Sequence, residues 1–292
     1  MNSIKIMARA KINWALDITG LAENGYHNID TLMHRVTLFD TLTITKAQSG
    51  ITVFTGHHLI SDDHRNITHK AASLFFSETS INIGCSIKIS KHIPVCAGMG
   101  GGSADAAATL FALDKLYETN LSQQKMDSLA VTLGADVPFM LRDGLARARG
   151  IGEKIESIAC EKQYHLLGIM PAYGASTKEV FRLFDENGKC LKLKNEKMIE
   201  ALNVGNFQKI KSNLGNALQP ITEELIPEIK IISAQLLAEG AIATSMTGSG
   251  SLVYGLFPSY KSAQAAGNKF ASYTWYRAFS TCNKGISIIS SD

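Results

Sequence analysis

The most informative stretch of the chain is rich in glycine and reads Pro94-Val95-Cys96-Ala97-Gly98-Met99-Gly100-Gly101-Gly102-Ser103-Ala104. Before it, residues 81–89 alternate apolar and polar side chains, which predicts a β-strand. After it, residues 104–117 are rich in alanine and leucine, which predicts a helix. The glycines between positions 98 and 102 disfavour both regular structures. The sequence therefore predicts a strand, a glycine loop and a helix in direct succession.

A glycine loop at the start of a helix predicts a site for an anion such as phosphate. The first N–H groups of a helix lack partners within the helix, and the helix dipole is positive at that end. Glycines let the backbone approach the phosphate closely and adopt positive φ angles. The alternative is a turn whose glycines only allow close packing. Neither standard nucleotide loop fits, because no lysine follows as in GxxxxGK[ST] and Ser103 replaces the third glycine of GxGxxG.

The composition predicts a folded globular protein and excludes several classes of partner. The chain has 292 residues, of which 45% are hydrophobic and 19% charged, an ordinary globular balance. A formal net charge of +3 is too small to favour nucleic acid as a partner. No apolar run is long enough for a transmembrane helix, and charged residues interrupt the N-terminal segment, so neither membrane nor secretion is expected. The five cysteines form no CxxC pair, which favours reduced thiols in a cytoplasmic protein.

A new succession of predicted strands and helices begins near residue 160, where we place a boundary between domains 1–160 and 161–292. Residues 1–56 predict mainly strands, and the helix predicted at 122–134 has Ser122 as its cap and Gly134 at its end. The remaining predicted elements are a helix at 66–78, strands at 164–170 and 252–257, helices at 195–212 and 222–239, and a second glycine loop at 247–251.

Five segments of the chain resemble motifs of one family, the GHMP kinases, named after galactokinase, homoserine kinase, mevalonate kinase and phosphomevalonate kinase. The glycine-rich stretch is similar to the family motif PxxxGLGGSS. The other four resemble the AKIN, DGYH, LGADVPF and SGSG motifs of a single branch of the family. They read Ala10-Lys11-Ile12-Asn13, Gly25-Tyr26-His27, Leu133-Gly134-Ala135-Asp136-Val137-Pro138-Phe139 and Met246-Thr247-Gly248-Ser249-Gly250. The resemblance thus covers nearly the whole chain.

The resemblance implies a fold, a reaction and a nucleotide site. The fold is α+β, with an ATP-binding N-terminal domain that contains a left-handed βαβ unit and a ferredoxin-like C-terminal domain. The reaction transfers the γ-phosphoryl group of ATP to the 2-hydroxyl of 4-(cytidine 5′-diphospho)-2-C-methyl-D-erythritol, in the non-mevalonate route to isoprenoid precursors. By this resemblance residues 94–104 bind ATP, which is used with Mg²⁺. The Ser103 hydroxyl is a candidate contact for Mg²⁺ or a phosphate oxygen, and Ser103 is equally typical of the N-cap of the following helix. Direct metal ligands and the oligomeric state stay open.

Asp136 and Lys11 are the catalytic pair that the resemblance implies. A positioned carboxylate can take the proton of an alcohol, and a nearby ammonium keeps that carboxylate ionised. By position alone, Asp136 is equally typical of a helix N-cap, because it follows one helix end and precedes Pro138 by two residues. Lys11 alone is typical of a solvated lysine on a strand.

The resemblance assigns Asn13, Tyr26, His27, Thr177 and Phe181 to the substrate. The Tyr26 ring can stack on the cytosine, and His27 can exchange hydrogen bonds with the edge of the base. Phe181 can close the other side of the base, while Asn13 and Thr177 are further contacts. The alternatives are a hairpin tip with a surface histidine and, for Phe181, a position in a helix core.

The chain departs from the family pattern at four positions, and three other functions compete. Cys96 stands where a glycine or alanine is usual, Ala217 where an aspartate is expected, and Arg147 and Arg149 make their segment unusually basic. The competing functions are a homoserine or mevalonate kinase, a catalytically inactive nucleotide-binding regulator and a redox enzyme. Gly25-Tyr26-His27 favours a cytidine-bearing substrate, the presence of Lys11 and Asp136 disfavours an inactive regulator, and the failed GxGxxG disfavours a redox enzyme.

Overall fold

The computed structural model describes residues 1–23 and 25–292. The N-terminal part combines long strands with helices, as the sequence predicts. Its elements, in chain order, are β1 (Ser3–Leu21), β2 (His27–Ala47), β3 (Ile51–Phe54), α1 (Ile67–Thr79), β4 (Gly84–Ser90), α2 (Gly101–Tyr117), α3 (Gln123–Leu133), α4 (Val137–Met140), β5 (Leu145–Gly150) and β6 (Lys154–Ile158).

The C-terminal part begins after residue 160 and contains more helix. Its elements are β7 (His165–Met170), α5 (Thr177–Asn187), α6 (Asn195–Val204), α7 (Phe207–Asn213), β8 (Gly215–Asn216), α8 (Gln219–Leu225), α9 (Glu228–Ala238), β9 (Ala243–Met246), β10 (Val253–Phe257), α10 (Tyr260–Gly267), a 3₁₀ turn (Asn268–Phe270), β11 (Trp275–Ser280) and β12 (Ile286–Ser291). In the described part of the chain, no helix is both long and apolar enough to cross a membrane.

The first sheet contains eight strands within the described residues. β12, β1, β2, β4 and β3 lie side by side, β5 and β6 extend from β2, and β8 pairs with β1. β3 and β4 are parallel and are joined by α1, which makes them a βαβ unit. α2 packs against this sheet beside α1, and its many alanines allow the close approach that buries it on most sides. The predicted order of strand, glycine loop and helix is therefore confirmed as β4, loop and α2.

β1 carries two irregularities that matter for the site. Its register against β2 shifts between Arg9 and Lys11 and again between Asn13 and Ala15. Such a bulge bends the strand and redirects the side chains beside it. The middle of β1 is also buried on both faces, because α2 covers part of it and the C-terminal part of the chain packs against Ile12 and Trp14. Lys11 and Asn13 consequently lie inside the protein, with exposed fractions of 2% and 3%.

The second sheet has four antiparallel strands within the described residues, in the order β11, β7, β10, β9. Helices lie between β7 and β9 and again between β10 and β11 along the chain, which gives the succession β-α-β-β-α-β of a ferredoxin-like fold. Its core is formed by apolar side chains of β7 and β10 together with those of α9 and α10. The α+β fold with two sheets agrees with the expectation from the sequence.

The boundary near residue 160 stays a prediction. The sheets change between β6, which ends at Ile158, and β7, which begins at His165. However, β12 returns to the first sheet and pairs with residues 4–8 of β1, and β8 pairs with Ala15 and Leu16. Two segments beyond residue 160 thus complete the N-terminal sheet.

Some element bounds differ from the prediction, for local reasons. The helix predicted over 195–212 breaks at Gly205, which has φ +74°, and Asn206 caps the next helix. The helix predicted over 222–239 is interrupted before Pro227. The strand predicted over 81–89 starts at Gly84 and not at Ile81. The polar turn at Asn24-Gly25 is only partly within the described residues, because Asn24 lies outside them.

Candidate active site

A cavity of about 1180 Å³ is lined by both glycine loops, β1 and the first residues of α5. Most residues that the sequence assigned to nucleotide, substrate or catalysis lie at its wall. These are Lys11, Asn13, Tyr26, His27, Asp136, Thr177, Phe181 and each residue from Pro94 to Ser103. Ala104 is instead buried inside α2. The fold therefore gathers segments that are far apart in sequence around one volume.

The first glycine loop has the backbone geometry of an anion site. Gly98 and Gly100 adopt φ angles of +73° and +68°, which glycine reaches without strain. Gly100 caps α2, and the first intrahelical bond of that turn runs from the N–H of Ala104 to the carbonyl of Gly100. The N–H groups of residues 101–103 precede that bond, so they are the unpaired donors at the positive end of the helix. Gly101 itself has no positive φ angle, because it is the first residue of the helix.

The two glycine loops touch each other through their backbones. A Cβ atom placed on Gly98 would lie 2.0 Å from the carbonyl oxygen of Thr247, and one on Gly248 would lie 2.8 Å from the carbonyl oxygen of Gly98. The N–H of Leu252 also donates to the carbonyl of Ala97, at 3.3 Å. Glycine is therefore required at both positions for the loops to approach, and the loop of the C-terminal part forms one wall of the site.

Lys11 places a buried ammonium between the loops. Its Nζ donates to Oδ1 of Asn13 at 2.7 Å and lies 3.7 Å from Oδ2 of Asp136. A Cβ on Gly248 would be 3.2 Å from this Nζ, so any larger residue at position 248 would crowd the ammonium. Burial lowers the pKa of Lys11 below its ordinary value of 10.5, and the carboxylate of Asp136 opposes that shift. Lys11 is thus a cation held close to a carboxylate in a poorly solvated place.

Asp136 directly precedes α4 and has a side chain that is 35% exposed. It occupies the N-cap position, but within the described chain its side chain makes no capping hydrogen bond. The structure therefore pairs this carboxylate with Lys11 and leaves it accessible from the cavity. This arrangement disfavours a purely structural role as a cap.

Asn13 connects β1 to the second glycine loop. Its Oδ1 accepts from Lys11 Nζ, from the Thr247 hydroxyl at 3.1 Å and from the Gly248 N–H at 2.9 Å. Its Nδ2 donates to the hydroxyl of Thr31 at 2.8 Å. With three donors on one oxygen, the amide already holds Lys11 and the loop in place, and Nδ2 keeps one hydrogen for a ligand.

A second charged cluster lies at the edge of the cavity, where no sequence motif marks it. Lys91 donates to the buried carboxylates of Asp40 and Asp105. Asp40 also accepts from the N–H groups of His92 and Ile93, whereas Oδ1 of Asp105 has no partner within the described residues. Burial and the charge of Asp40 raise the pKa of Asp105 to about 8, although Lys91 opposes the shift. One lysine thus balances Asp40, and Asp105 retains its proton.

The Asp105→Asn variant should become more stable relative to the wild-type protein as the pH rises. A folded-state pKa raised from 3.8 to about 8 means that the folded protein binds a proton that the unfolded chain has lost. Between the two pKa values, 3.8 and about 8, the free energy of unfolding of the wild-type protein should therefore fall as the pH rises, by at most about 1.4 kcal/mol per pH unit. The variant lacks this loss. Melting temperatures of both proteins at about pH 5 and about pH 9 test this expectation. A difference between them that does not change with pH would contradict it.

The residues assigned to the base form a group with α5. The ring of His27 lies 4.8 Å from that of Phe181, at an angle of 33°. His27 Nε2 is 2.6 Å from Oδ1 of Asp185, a residue that carries no motif. Tyr26 is 63% exposed at the same wall of the cavity. Phe181 is partly buried, so it is both a core position of α5 and a wall of the cavity.

Thr177 joins α5 to the second glycine loop. Its hydroxyl shares a hydrogen bond of 2.8 Å with the hydroxyl of Ser249. Asn216 holds the same loop from the other side, because its Nδ2 donates to the carbonyls of Met246 and Gly248. The loop is therefore fixed by side chains from β1, α5 and β8.

One expectation at the first loop needs correction, and one departure from the family pattern gains a structural context. Ser103 is the third residue of α2 and not its N-cap, because the left-handed conformation of Gly100 ends the loop three residues earlier. Cys96 is exposed and has φ +58°, a left-handed conformation that favours glycine. That conformation explains a glycine at this position, but it does not explain the alanine that is also usual there.

The other departures from the family pattern have structural explanations. Arg147 forms ion pairs with Asp30, at 2.6 Å, and with Glu196, so it ties β5 to β2 and α6. Arg149 pairs with Glu156 of β6. Ala217 is buried and its N–H donates to the carbonyl of Leu16, which leaves it no contact with a ligand.

The residues that the structure describes hold no group of three His, Cys, Asp or Glu side chains suited to a metal ion. Mg²⁺ commonly needs only one or two carboxylates, with water and substrate phosphates as its other ligands. The Asp136 carboxylate and the Ser103 hydroxyl at the wall of the cavity are the kind of oxygen donor that fits a metal ion carried in by a nucleotide.

Comparisons with known proteins agree on one family. The model of the GHMP kinases N terminal domain matches residues 66–144, and that of the GHMP kinases C terminal matches residues 198–276. A relative from Clostridium beijerinckii is 38% identical over 261 residues, which is 89% of this chain and 93% of the relative. A relative from Lachnoclostridium phytofermentans is 39% identical over 91% of this chain and 92% of its own length. Both are named 4-diphosphocytidyl-2-C-methyl-D-erythritol kinase.

Solved structures show the same fold. A crystal structure of 4-(cytidine 5′-diphospho)-2C-methyl-D-erythritol kinase has a TM-score of 0.82 and 31% identity, and covers 96% of this chain and 100% of the other. A homoserine kinase from Cytophaga hutchinsonii has a TM-score of 0.79 and 17% identity, over 99% of this chain and 98% of the other, which shows a shared fold alone. The identity and coverage of the relatives show that this chain belongs to the GHMP kinase family and is an ATP-dependent small-molecule kinase.

Proposed function

We propose that this kinase transfers the γ-phosphoryl group of ATP to the 2-hydroxyl of 4-(cytidine 5′-diphospho)-2-C-methyl-D-erythritol, a step of the non-mevalonate route to isoprenoid precursors. One observation carries the proposal. A single cavity is lined by the glycine loop, by the Lys11–Asp136 pair and by the aromatic group of Tyr26, His27 and Phe181. The names of the relatives, which this chain matches over more than nine tenths of their length, support the same substrate.

The glycine loop holds the phosphates of ATP in this proposal. The backbone N–H groups at the start of α2 bind phosphate oxygens, and the positive end of the helix favours their charge. Residues 94–103 form this wall, while Ala104 contributes only to the packing of α2. The Ser103 hydroxyl would be a ligand of a Mg²⁺ ion bound to ATP, and that ion would neutralise part of the phosphate charge.

Asp136 and Lys11 act on the acceptor hydroxyl. The Asp136 carboxylate accepts a hydrogen bond from the alcohol and takes its proton as phosphoryl transfer proceeds. Because such transition states are loose, with little deprotonation of the nucleophile, orientation of the hydroxyl is a large part of this role. The Lys11 ammonium lies 3.7 Å from the Asp136 carboxylate, orients it toward the acceptor and stabilises negative charge between the loops.

The cytidine end of the substrate binds at the aromatic group. Tyr26 and Phe181 stack against the cytosine, and His27 exchanges hydrogen bonds with its edge. Thr177, at the start of α5, and the remaining amide hydrogen of Asn13 contact the polar part of the substrate. Both residues also fix the second glycine loop, so their substitution is expected to affect structure as well as binding.

Replacing His27 with alanine should raise the KM for the cytidine substrate at least about fivefold, because lost hydrogen bonds cost about 1–3 kcal/mol. The KM for ATP should stay unchanged, since the nucleotide binds at the glycine loop. Steady-state kinetics with each substrate varied in turn measure both constants. His92→Ala is a suitable control, because His92 is exposed and lies outside the cavity lining. Equal losses for ATP and the cytidine substrate would place His27 elsewhere in the mechanism.

The acceptor is tested by comparing kcat/KM for the cytidine diphosphate substrate, homoserine and mevalonate under the same ATP concentration. The proposed function predicts efficient ADP release only with the cytidine diphosphate substrate. Efficient turnover of homoserine or mevalonate would instead assign the chain to another GHMP kinase activity. ATP binding without turnover of any acceptor would indicate a regulator.

A further inference from the structure

His27 is held by three residues of α5 from different directions. Its ring packs against Phe181, with centroids 4.8 Å apart, and meets the edge of Phe184 at 6.2 Å and 88°. Its Nε2 lies 2.6 Å from Oδ1 of Asp185, which also lines the cavity. The His27 side chain is only 12% exposed, so these contacts fix both the plane of the ring and the direction of its Nε2.

The contact with Asp185 also determines which ring nitrogen carries the proton. An aspartate carboxylate only accepts hydrogen bonds, so Nε2 of His27 has to be the donor. In the neutral imidazole, Nδ1 then keeps its lone pair and can only accept a hydrogen bond. A carboxylate that faces one nitrogen of a histidine in this way sets the chemistry of the other nitrogen.

We propose that Asp185 is a positioning residue that makes the site select cytosine over uracil. The inference rests on the proposed function, in which His27 reads the edge of the base. Cytosine carries an amino group at its 4-position, which donates a hydrogen bond, whereas the carbonyl oxygen of uracil at that position accepts one. An acceptor at Nδ1 therefore pairs with the amino group of cytosine and repels the carbonyl of uracil. Asp185 touches His27 and not the reacting atoms, so it acts through His27.

Asp185→Asn tests the proposal, because an amide can donate or accept and no longer fixes the tautomer. We expect the ratio of kcat/KM for the cytidine and uridine diphosphate forms of the methylerythritol substrate to fall about tenfold. The KM for ATP should not change. Glu186→Gln is the matched control: Glu186 is the next residue of α5, is similarly exposed and pairs with Arg182, and it should keep the wild-type ratio.

The tautomer itself is measured by ¹⁵N NMR of the imidazole nitrogens, with His27 assigned from its absence in His27→Gln. The wild-type ring should carry its proton on Nε2 at neutral pH, and Asp185→Asn should shift it toward a mixture of tautomers. An imidazolium or an Nδ1–H ring in the wild-type protein would overturn the proposal, as would an unchanged selectivity in Asp185→Asn. A wild-type enzyme that phosphorylates neither substrate would overturn the proposed function, whereas an active enzyme with unchanged selectivity would remove only the role of Asp185.

Discussion

Asp136→Asn should lower kcat at least about a hundredfold, because general base catalysis typically contributes 10²–10⁴-fold. The substitution keeps the shape of the side chain and removes its ability to take a proton. A loose transition state requires little deprotonation, which favours the smaller end of that range. ATP affinity should stay close to wild type, since the glycine loop does not depend on this carboxylate. Stability should also change little, because Asp136 makes no capping hydrogen bond within the described chain and buried Lys11 keeps its hydrogen bond to Asn13 after losing the carboxylate.

Turnover and melting temperature measured on one preparation of Asp136→Asn separate the catalytic role from the structural one. A cap would instead give a loss of about 1 kcal/mol in stability with nearly normal kcat. Asp127→Asn serves as the control, because Asp127 has a similar exposure of 32%, pairs with Arg142 and lies outside the cavity lining. A stable Asp136→Asn enzyme with near-normal turnover would refute the mechanism.

Lys11→Met should also lower kcat by about a hundredfold or more, as the loss of a preorganised group that stabilises transition-state charge typically does. Methionine resembles the lysine stem and leaves no buried charge. The protein should stay folded, because Asn13 keeps its bonds to Thr247 and Gly248 and the Asp136 carboxylate keeps contact with solvent. The effect should therefore appear in turnover rather than in the melting temperature.

The double variant Lys11→Met/Asp136→Asn shows whether the two residues act as a unit. Residues that share one step give effects that are far from additive. We expect the kcat of the double variant to be close to that of the less active single variant. If the fold-loss in kcat of the double variant equals the product of the two single-variant losses, Lys11 and Asp136 serve independent steps. The exposed Lys88 of β4, changed to methionine, is the control for the loss of a lysine charge.

Local sequence patterns predicted the backbone of the first loop well, because its geometry depends on consecutive residues. The four glycines and the following alanines indicated a loop that opens a helix, and the helix does follow the loop directly. The same patterns missed where the helix starts, so Ser103 was wrong as the cap. Residues such as Gly101 have helix geometry despite being glycine, and only the backbone angles reveal that Gly98 and Gly100 carry the turn.

Local sequence patterns could not predict contacts between residues that are far apart in the sequence. Asp40, Lys91 and Asp105 meet only because β2, the end of β4 and α2 converge, and no spacing rule relates them. Asp185 is 158 residues from His27, so their contact depends on how α5 lies against β2. The return of β12 to β1 is likewise a property of the whole topology. Motif resemblance named residues that the fold brings to the wall of one cavity, whereas the residues that contact and position them are visible only in the fold.

The most direct measurement follows the phosphoryl group itself. Wild-type enzyme is incubated with ATP and 4-(cytidine 5′-diphospho)-2-C-methyl-D-erythritol, and the product is examined by ³¹P NMR and mass spectrometry, with Asp136→Asn as the parallel sample. We expect one added phosphoryl group, attached at the 2-hydroxyl, to form in step with ADP and to be strongly reduced in the variant. ADP formed without phosphorylation of this substrate, or a phosphoryl group at another hydroxyl, would contradict the proposed function.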